Sequence, residues 1–439
     1  MAKFIIQGGK PLKGAVRVGG AKNASFKLMI AALLAKGESR LLDIPQIGDV
    51  EITKKVIKSL GGKIECRGQG TVFINPDGLK TDRIPKSFGF KSRASIIFAG
   101  ALLSRFGQAH LPLPGGDQVG RRPIERHLEG LKALGAKVKI RHGFIDLNCS
   151  RLKGNRYRFA KNSHTGTETM IIAACKAQGQ TQLENVALEP EIDDLIAFLN
   201  KAGAKIKRLS DRRIQIDGVA QLGGTIYKVM PDRNEIVSYA CAALGTKGDI
   251  IIENAFEKSL QTFLEKVTAA GGRFKVGDYG IRFWYQKSLK ASRIITAPHP
   301  GFMTDWQALW ATLMTQAQGE SEIIETIYEY RFGYTRQLTK MGAKIELFNP
   351  QVADPEKFYN FNFEDDKPSY FHAAKIFGPT PLKGANLRVP DIRAGATLTL
   401  AALIAKGKSV LTGIEHIDRG YEDLDGRLRR LGADIKKNG

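Results

Sequence analysis

The stretch ALLAKGESRLLDIP at residues 32–45, followed by LGGKI at residues 60–64, decides the fold because its pattern occurs six times in the chain. An apolar run ends near a glycine, an extended stretch follows, and a helical stretch then ends at a second glycine before a short strand. The two glycines of a repeat lie 23 to 28 residues apart. The six pairs are Gly37 and Gly61, Gly107 and Gly135, Gly179 and Gly203, Gly248 and Gly271, Gly319 and Gly342, and Gly407 and Gly432.

Each repeat is predicted to run strand, loop, apolar helix, strand, loop, amphipathic helix, strand, which is a βαβαβ-type unit. The apolar helix, such as LMIAALLA at 28–35, carries almost no charge and must be covered on most sides, whereas VEITKKVIKSL at 50–60 can expose a charged face. We therefore expect helices inside and sheets outside. With 439 residues, the chain exceeds the roughly 250–300 residues of a single hydrophobic core, so two domains are expected.

The composition favours an anionic partner. The 67 Lys and Arg residues against 44 Asp and Glu give a net charge of +23, which suits nucleic acid, an acidic membrane surface or phosphorylated small molecules. The basic residues are spread along the whole chain, which argues against nucleic acid. No apolar run approaches the about twenty residues of a membrane-spanning helix.

Four cysteines, Cys66, Cys149, Cys175 and Cys241, lie far apart without metal-ligand spacing, so neither a zinc site nor a disulfide framework is predicted. No metal or other cofactor is expected. The opening stretch MAKFIIQGGK lacks the apolar core of a signal peptide. A cytoplasmic protein that does not bind membranes is the resulting expectation.

Cations recur in the loops that precede the apolar helices. Lys22 in GGAKNAS, Arg93 in FKSRAS and Arg393 in PDIRAGA stand where a positive charge opposes the helix macrodipole. Three such cations indicate a shared anionic ligand. The small polar residues of the same loops are predicted to be N-caps; they are Ser25, Ser95 and Thr167.

One loop after an apolar helix differs from the others, because it places an acid between glycines and arginines. It reads LPLPGGDQVGRRP at residues 111–123, with Asp117 within reach of Arg121 and Arg122. Asp117 could be a functional acid, or it could merely form an ion pair with one of these arginines.

The ordered motifs GGAKNAS, SRASIIFAG, LPGG with GRRP, PEI, PDR, TAPHPGFMTD, EYRF, DIRAGA and HIDRGYE resemble the enolpyruvyl transferase family, and within it the branch that acts on a nucleotide sugar. The resemblance covers nearly the entire chain. It implies a two-domain inside-out α/β barrel with three repeats in each domain and the site in the cleft between them. The implied domains are 23–231, and 1–22 with 232–439.

The resemblance implies transfer of enolpyruvyl from phosphoenolpyruvate to the 3′-hydroxyl of UDP-N-acetylglucosamine, with release of phosphate through a tetrahedral intermediate. This is the first committed step of peptidoglycan precursor synthesis, on which cell-wall biogenesis, cell shape and division depend. The implied protein is a monomer whose partners are these two small molecules.

The same resemblance assigns site residues. Lys22, Arg122, Arg393 and Arg419 match the cationic cluster for the donor, and Asp305 matches the group that removes a proton from the sugar hydroxyl. EYRF adds Arg331. The positions that match contacts to the nucleotide sugar are Asn23, Arg93, Arg122, Pro123, Ile124, Glu125, Arg126, Lys161, Ser163 and Ile327.

Asp117 occupies the position where most relatives carry a cysteine, the residue linked to proton donation and to alkylation by fosfomycin. A carboxyl can donate a proton only if it is protonated, and neighbouring arginines oppose this. We expect Asp117 to be the acid, the loop around it to close over the substrates, and the enzyme to be insensitive to fosfomycin, because a carboxylate attacks an epoxide poorly compared with a thiolate.

Two departures leave alternatives open. KNSHTGT at 161–167 carries His164 and Thr165 where many relatives have smaller residues, so another nucleotide or sugar acceptor is an alternative. A shikimate phosphate is a further alternative, which LPGG with GRRP and HIDRGYE disfavour because they belong to the nucleotide-sugar branch. A silent basic binding protein on the same scaffold is the alternative from another class. Residues 348–374, with turn formers and scattered aromatics, are predicted to be a surface insertion.

Overall fold

The computed structural model describes residues 2–68, 70–89, 93–115 and 123–439. These residues divide into two compact domains. We call 20–115 with 123–230 the first domain, and 2–19 with 231–439 the second domain. The first domain begins at residue 20 and the second domain resumes at residue 231, whereas the predicted positions are 23 and 232.

One helix in each repeat is almost completely buried, as the apolar runs predict. Every residue of Arg233–Gly245, for example, is buried. In the second domain the three helices of this kind contact one another. The six buried helices are Lys22–Ala31, Phe98–Phe106, His164–Ala174, Arg233–Gly245, Thr304–Met314 and Ile392–Ile404.

The other helix of each repeat is amphipathic and is ended by a glycine. In all six repeats the second glycine of the pair has a positive φ, between 82° and 104°. Its N–H and that of the next residue close the helix end; Gly61 N donates to Lys58 O at 3.0 Å and Gly62 N to Ile57 O at 3.0 Å. The amphipathic helices are Gly48–Ser59, Glu125–Ala133, Pro190–Lys201, Gln261–Ala269, Thr335–Lys340 and Leu424–Arg430.

In the first five repeats, the amphipathic helix is followed by two antiparallel strands that form a hairpin. The predicted repeat had three strands, with one strand after this helix, so the second strand of the hairpin is additional. A short parallel strand lies at one edge and the first strand of this hairpin at the other. The strands of each sheet are given in spatial order. The three larger sheets of the first domain are Ile226–Lys228, Ser39–Leu42, Thr71–Asn75 and Lys63–Arg67; Gln108–Pro112, Phe144–Asn148 and Lys137–Arg141; and Arg156–Arg158, Gln180–Glu184, Arg213–Asp217 and Lys205–Ser210. Those of the second domain are Lys13–Arg17, Asp249–Glu253, Gly280–Trp284 and Arg273–Gly277; Arg293–Ile295, Gly319–Ile324, Ala373–Gly378 and Lys344–Phe348; and Asn386–Arg388, Gly407–Thr412, Lys3–Gly8 and Asp434–Asn438.

The strands alternate between buried and exposed side chains, so one face of each sheet covers the helices. Ile250 and Ile252 are fully buried, whereas Ile251 between them is 44% exposed. The hairpin strand at each sheet edge exposes Lys or Arg, as at Lys205 and Lys207. The prediction of helices inside and sheets outside is confirmed.

The shorter elements connect the repeats. Ala35–Lys36 pairs with Leu222–Gly223 in a two-stranded sheet, and Arg83 forms an isolated bridge with His110 beside the three-stranded sheet. The remaining helical turns are Lys86–Gly89, Pro355–Phe358 and Glu415–Asp418, with 3₁₀ turns at Ala32–Leu34, Arg93–Ile97, Glu257–Ser259 and Phe363–Asp365. No helix in the described ranges is long and apolar enough to cross a membrane.

The segment between strands Lys344–Phe348 and Ala373–Gly378 corresponds to the predicted insertion. Its aromatics divide between buried and exposed positions; Phe363 and Phe371 are 45% and 42% exposed. Tyr359 and Phe361 are 4% and 3% exposed, and their rings lie 4.8 Å apart. His372 packs beside both rings and pairs with Asp366 at 3.0 Å. The segment therefore has a small core of its own.

Candidate active site

Asp305 lies in the second domain between two arginines from different repeats. It stands in the first turn of Thr304–Met314. Its Oδ1 accepts a hydrogen bond from Arg331 Nη2 at 3.1 Å, and its Oδ2 accepts one from Arg393 Nη2 at 3.0 Å. The side chains of Arg331 and Arg393 are 5% and 12% exposed. Two buried guanidinium groups thus converge on one carboxylate.

Neighbouring acids keep both arginines charged. Burial acts to lower the pKa of Arg331, but Asp305, Asp391 and Glu325 outweigh it and raise the pKa. The pKa of Arg393 is raised in the same way, chiefly by Asp305 against burial. Asp391 also caps the helix that carries Arg393, because its Oδ1 accepts from the N–H groups of Arg393 and Ala394 at 2.8 and 3.0 Å.

Glu325 ties the loop that carries Arg331 to the helix that carries Asp305. Its Oε1 accepts from the N–H groups of Ile327 and Tyr328 at 2.8 and 3.1 Å, and its Oε2 accepts from the Thr304 hydroxyl at 2.9 Å. The carboxyl is fully buried, and burial raises its pKa against these donors. Glu325 was not identified from the sequence. Its position directly after the apolar strand Gly319–Ile324 could have indicated a functional acid.

A second charged network joins the start of Arg233–Gly245 to the last repeat. Arg427 donates to Glu235 and to Glu422, each at 2.8 Å. Ser238 and Tyr421 share a hydrogen bond of 2.9 Å between their hydroxyl groups. Arg419, a predicted donor contact, lies one residue after the short helix Glu415–Asp418. Glu235 and Arg427 were not identified from the sequence.

In the first domain, Lys22 is the first residue of its buried helix and pairs with Asp49 at 2.9 Å. Asn23, next to it, is partly exposed. Arg126 lies in the first turn of Glu125–Ala133 and donates to the carbonyl of Asn162 at 3.1 Å. This contact joins the predicted stretch Pro123–Arg126 to the loop that carries Lys161 and Ser163.

A buried cluster lies beneath that loop. Lys27 Nζ is 2.7 Å from Glu168 Oε2 and 3.3 Å from His164 Nε2. The side chains of Lys27 and Glu168 are 2% and 0% exposed. The departure noted at His164 is therefore part of an ion-paired cluster with two residues that the sequence did not single out.

The predicted caps are wrong. Ser25 donates back to Ala21 O at 2.8 Å, and Thr167 lies inside its helix, where it accepts from Ala187 N at 3.2 Å. Ser95 lies within a 3₁₀ turn. The capping oxygens come instead from Ser163, which accepts from Gly166 N at 3.1 Å, and from Asp232 and Asp391. Ser163 was predicted as a substrate contact.

The structure therefore brings Asp305, Arg331 and Arg393 into direct contact and places Ile327 on the same loop as Arg331. Asp117, Arg121 and Arg122 lie outside the described residues. The backbone of Arg93 starts the 3₁₀ turn Arg93–Ile97. Besides Arg93, the predicted site residues that the structure describes in the first domain are Lys22, Asn23, Pro123, Ile124, Glu125, Arg126, Lys161 and Ser163.

Known proteins share this arrangement of repeats. The family model described as EPSP synthase (3-phosphoshikimate 1-carboxyvinyltransferase) matches residues 6–428. The chain belongs to this family of carboxyvinyltransferases.

Among curated members of the carboxyvinyltransferase family, the UDP-N-acetylglucosamine 1-carboxyvinyltransferase of Halothermothrix orenii is 39% identical over 437 residues, which cover 100% of both chains. The protein of the same name from Protochlamydia amoebophila is 40% identical over 438 residues, covering 98% of this chain and 93% of its own.

Solved structures of the family share the fold. The enolpyruvyl transferase NikO from Streptomyces tendae superposes with a TM-score of 0.86 at 24% identity, covering 100% of this chain and 99% of its own. An EPSP synthase from Acinetobacter baumannii gives a TM-score of 0.74 at 18% identity, with both chains fully covered. The fold class predicted from the repeats is confirmed.

Proposed function

We propose that the protein transfers enolpyruvyl from phosphoenolpyruvate to the 3′-hydroxyl of UDP-N-acetylglucosamine and releases phosphate, at the start of peptidoglycan precursor synthesis. The convergence of Arg331 and Arg393 on Asp305 carries this proposal. The names of the curated relatives support it. The protein would act as a cytoplasmic monomer without a cofactor.

The arginines suit the donor because phosphoenolpyruvate carries a carboxylate and a phosphate, and guanidinium groups bind such anions through paired hydrogen bonds. Arg331 and Arg393 now donate to Asp305. A bound anion would compete for these donors and would loosen the pairing of the carboxylate. Asp305 would then be free to accept the proton of the sugar hydroxyl.

The proposed chemistry is an addition followed by an elimination. In the addition, the sugar oxygen bonds to C2 of phosphoenolpyruvate, its proton passes to Asp305, and a proton is delivered to the methylene carbon C3. In the elimination, the bond from C2 to the phosphate oxygen breaks, phosphate leaves, and C3 returns a proton. We assign delivery of the C3 proton to Asp117, and donor binding to four cations, Lys22, Arg122, Arg393 and Arg419.

The test is release of inorganic phosphate from phosphoenolpyruvate in the presence of UDP-N-acetylglucosamine. Release that requires both substrates, together with a product of the summed mass less phosphate, supports the proposal. If phosphate were released with shikimate 3-phosphate or another nucleotide sugar but not with UDP-N-acetylglucosamine, the proposed acceptor would be wrong. Salt-sensitive binding of polyanions without any phosphate release would indicate a silent binding protein.

The assignment of Asp117 predicts a response to fosfomycin. Incubation with the epoxide should leave the native protein active, whereas the variant Asp117→Cys should lose activity with time, because a thiolate opens the epoxide. Rapid inactivation of the native protein would contradict the assignment. Full turnover by Asp117→Asn would remove Asp117 from the acid role.

A further inference from the structure

A pocket of ≈ 530 Å³ lies in the first domain, where two buried helices end. It is lined by the last residues of Phe98–Phe106 and by Lys176, just after His164–Ala174. The predicted contacts Ser163 and Arg93 lie before these helices, at their opposite ends. The pocket is therefore separate from the candidate active site, and its volume is in the range of small-molecule sites.

Three cations line this pocket and, among the described residues around it, no acid does. They are Arg105, Arg151 and Lys176. Burial and the charge of Arg105 together lower the pKa of Lys176. In the described part of the chain, neither Lys176 nor Arg151 makes a hydrogen bond or an ion pair. Asp77 acts on Arg105 from outside the lining, whereas the like charges of Lys176 and Arg151 favour an anionic ligand.

Arg105 differs from Lys176 and Arg151 because its guanidinium group is hydrogen-bonded to backbone carbonyls of the protein. Its guanidinium donates to the carbonyls of Leu33, Ala35 and Pro76 at 3.0, 3.3 and 2.8 Å. These bonds fix the group at the edge of the pocket. The partial negative charge of a helix C-terminus favours a nearby cation, and Arg105, in the last turn of its own helix, meets that need.

The rest of the lining combines apolar residues with neutral polar ones; the polar residues are Ser104, Gln108, Asn148 and Ser150. Leu103, Phe106, Leu152 and Val219 contribute side chains to the pocket, and Leu103 and Leu152 are buried while Phe106 is half-buried. A ligand that fills the pocket would place an apolar face against these residues. Its charged group would face Lys176 and Arg151.

We propose that this pocket binds a small organic anion, in which a phosphate or carboxylate group is joined to a body with an apolar face. Lys176 and Arg151 bind the charged group, and the side chains around Phe106 bind the body. The site lies outside the catalytic residues, so its occupancy is a second binding event on the same domain.

Calorimetric titration with phenyl phosphate tests the proposal, with inorganic phosphate and benzyl alcohol as the two halves of that compound. Phenyl phosphate should bind the native protein more tightly than either half. The double variant Lys176→Gln, Arg151→Gln should weaken its binding by about tenfold or more, since it removes two charge-assisted contacts. Ala220→Glu, which adds an acid to the lining without removing a cation, should weaken it as well.

Two controls locate the binding. Lys207→Gln removes an exposed lysine from a strand of the same domain and should leave binding unchanged. Arg393→Gln alters the candidate active site and should also leave it unchanged. Equal affinity in the double variant, no binding to the native protein at millimolar concentration, or a loss confined to Arg393→Gln would each overturn the proposal. Turnover of the Lys176 and Arg151 variants should stay at the native level.

Discussion

Asp305 illustrates how one side chain can depend on a whole set of neighbours. A carboxylate that accepts from two guanidinium groups at 3.1 and 3.0 Å is well placed but poorly disposed to take a proton. The proposed role of Asp305 as a base therefore requires a ligand that engages Arg331 or Arg393.

Asp305→Asn should reduce kcat by about a hundredfold or more, because the amide keeps the size of the side chain but cannot accept the proton. Steady-state phosphate release measures the effect. Asp418→Asn is the matched control, since Asp418 is 49% exposed and pairs with Lys437 at the surface. Turnover of Asp305→Asn within twofold of the native rate would exclude the proposed role.

Asp194 predicts a pH dependence of stability. Burial raises its pKa to about 6, with a smaller contribution from Glu191, against hydrogen bonds from the Tyr227 hydroxyl and Met230 N–H. The unfolded chain releases this proton near pH 4, so between about pH 4 and 6 the folded state binds more protons than the unfolded state. This contribution to the free energy of unfolding is complete below pH 4 and is lost as the pH rises through 6.

Relative to Asp194→Asn, the native protein should therefore lose about 2 kcal/mol of unfolding free energy between pH 4 and pH 7. Urea unfolding at a series of pH values measures the difference. Asp193→Asn, which changes a neighbouring carboxylate that is 59% exposed, should not remove this slope. Parallel curves for native protein and Asp194→Asn would contradict the assignment.

For single residues, the sequence identified functional charged side chains better than it identified the groups that those side chains contact. The positions of Lys22 and Arg393 before apolar runs were visible in the sequence, and the family resemblance indicated Asp305. Glu325 was not identified, because its function depends on which backbone N–H groups its carboxylate reaches after folding. The caps were wrong for the same reason, since several polar residues precede each helix and backbone geometry selects among them.

Among the elements, the connection 349–372 makes backbone and ring contacts to a loop of the candidate site. Asn360 N donates to Thr326 O at 2.7 Å, and Glu325 N donates to His372 O at 2.8 Å. The rings of Tyr330 and Tyr370 lie 4.8 Å apart. The connection therefore braces the loop that carries Ile327 and Arg331.

Replacing residues 349–372 with Asn-Gly tests this brace. Phe348 and Ala373 are paired, so a two-residue turn can join them, as His142–Gly143 joins Arg141 to Phe144 with φ of 51° and 80°. We expect a folded protein whose kcat/KM is lower by about tenfold or more, because the loop loses two backbone bonds and active-site geometry tolerates little displacement.

The matched control replaces the turn Asp278–Tyr279 of the preceding repeat with Asn-Gly, which should change neither activity nor melting temperature. If the shortened connection kept full kcat/KM, the brace would have no role in catalysis.

The repeats themselves could be read from the sequence because a helix end imposes a backbone requirement. Gly61, Gly135 and their counterparts adopt a positive φ, which only glycine takes without strain. Gly248 shows the limit of this reasoning, because there the left-handed residue is Lys247, with a φ of 57°. The second strand of each hairpin, such as Thr71–Asn75, was missed although its side chains alternate between buried and partly exposed.

For the molecule as a whole, the path of the chain decides which segments can fold alone. Lys3–Gly8 and Lys13–Arg17 complete two sheets of the second domain, and Phe4 and Ile6 are fully buried there. The first domain, in contrast, obtains all its strands from the continuous segment 20–230, since Ile226–Lys228 pairs with its own sheet.

We therefore expect a fragment 20–230 to unfold cooperatively, and a fragment 231–439 to lack a cooperative transition in calorimetry. Lys3 pairs with Asn438, so residues 2–19 joined after residue 439 by a short Gly-Ser linker should restore folding of the second fragment. A stable 231–439 fragment without these strands would contradict the expectation.

The charged edge strands also bear on how copies of the protein meet. A sheet edge presents unpaired N–H and C=O groups to which a strand of another molecule can add. Exposed Lys or Arg stands on every hairpin edge, as at Lys63, Lys137, Lys205, Arg273, Lys344 and Lys436. Since two such edges repel each other, these cations, which contribute to the +23 net charge, oppose strand addition between copies at the hairpin edges of the six larger sheets in the described residues.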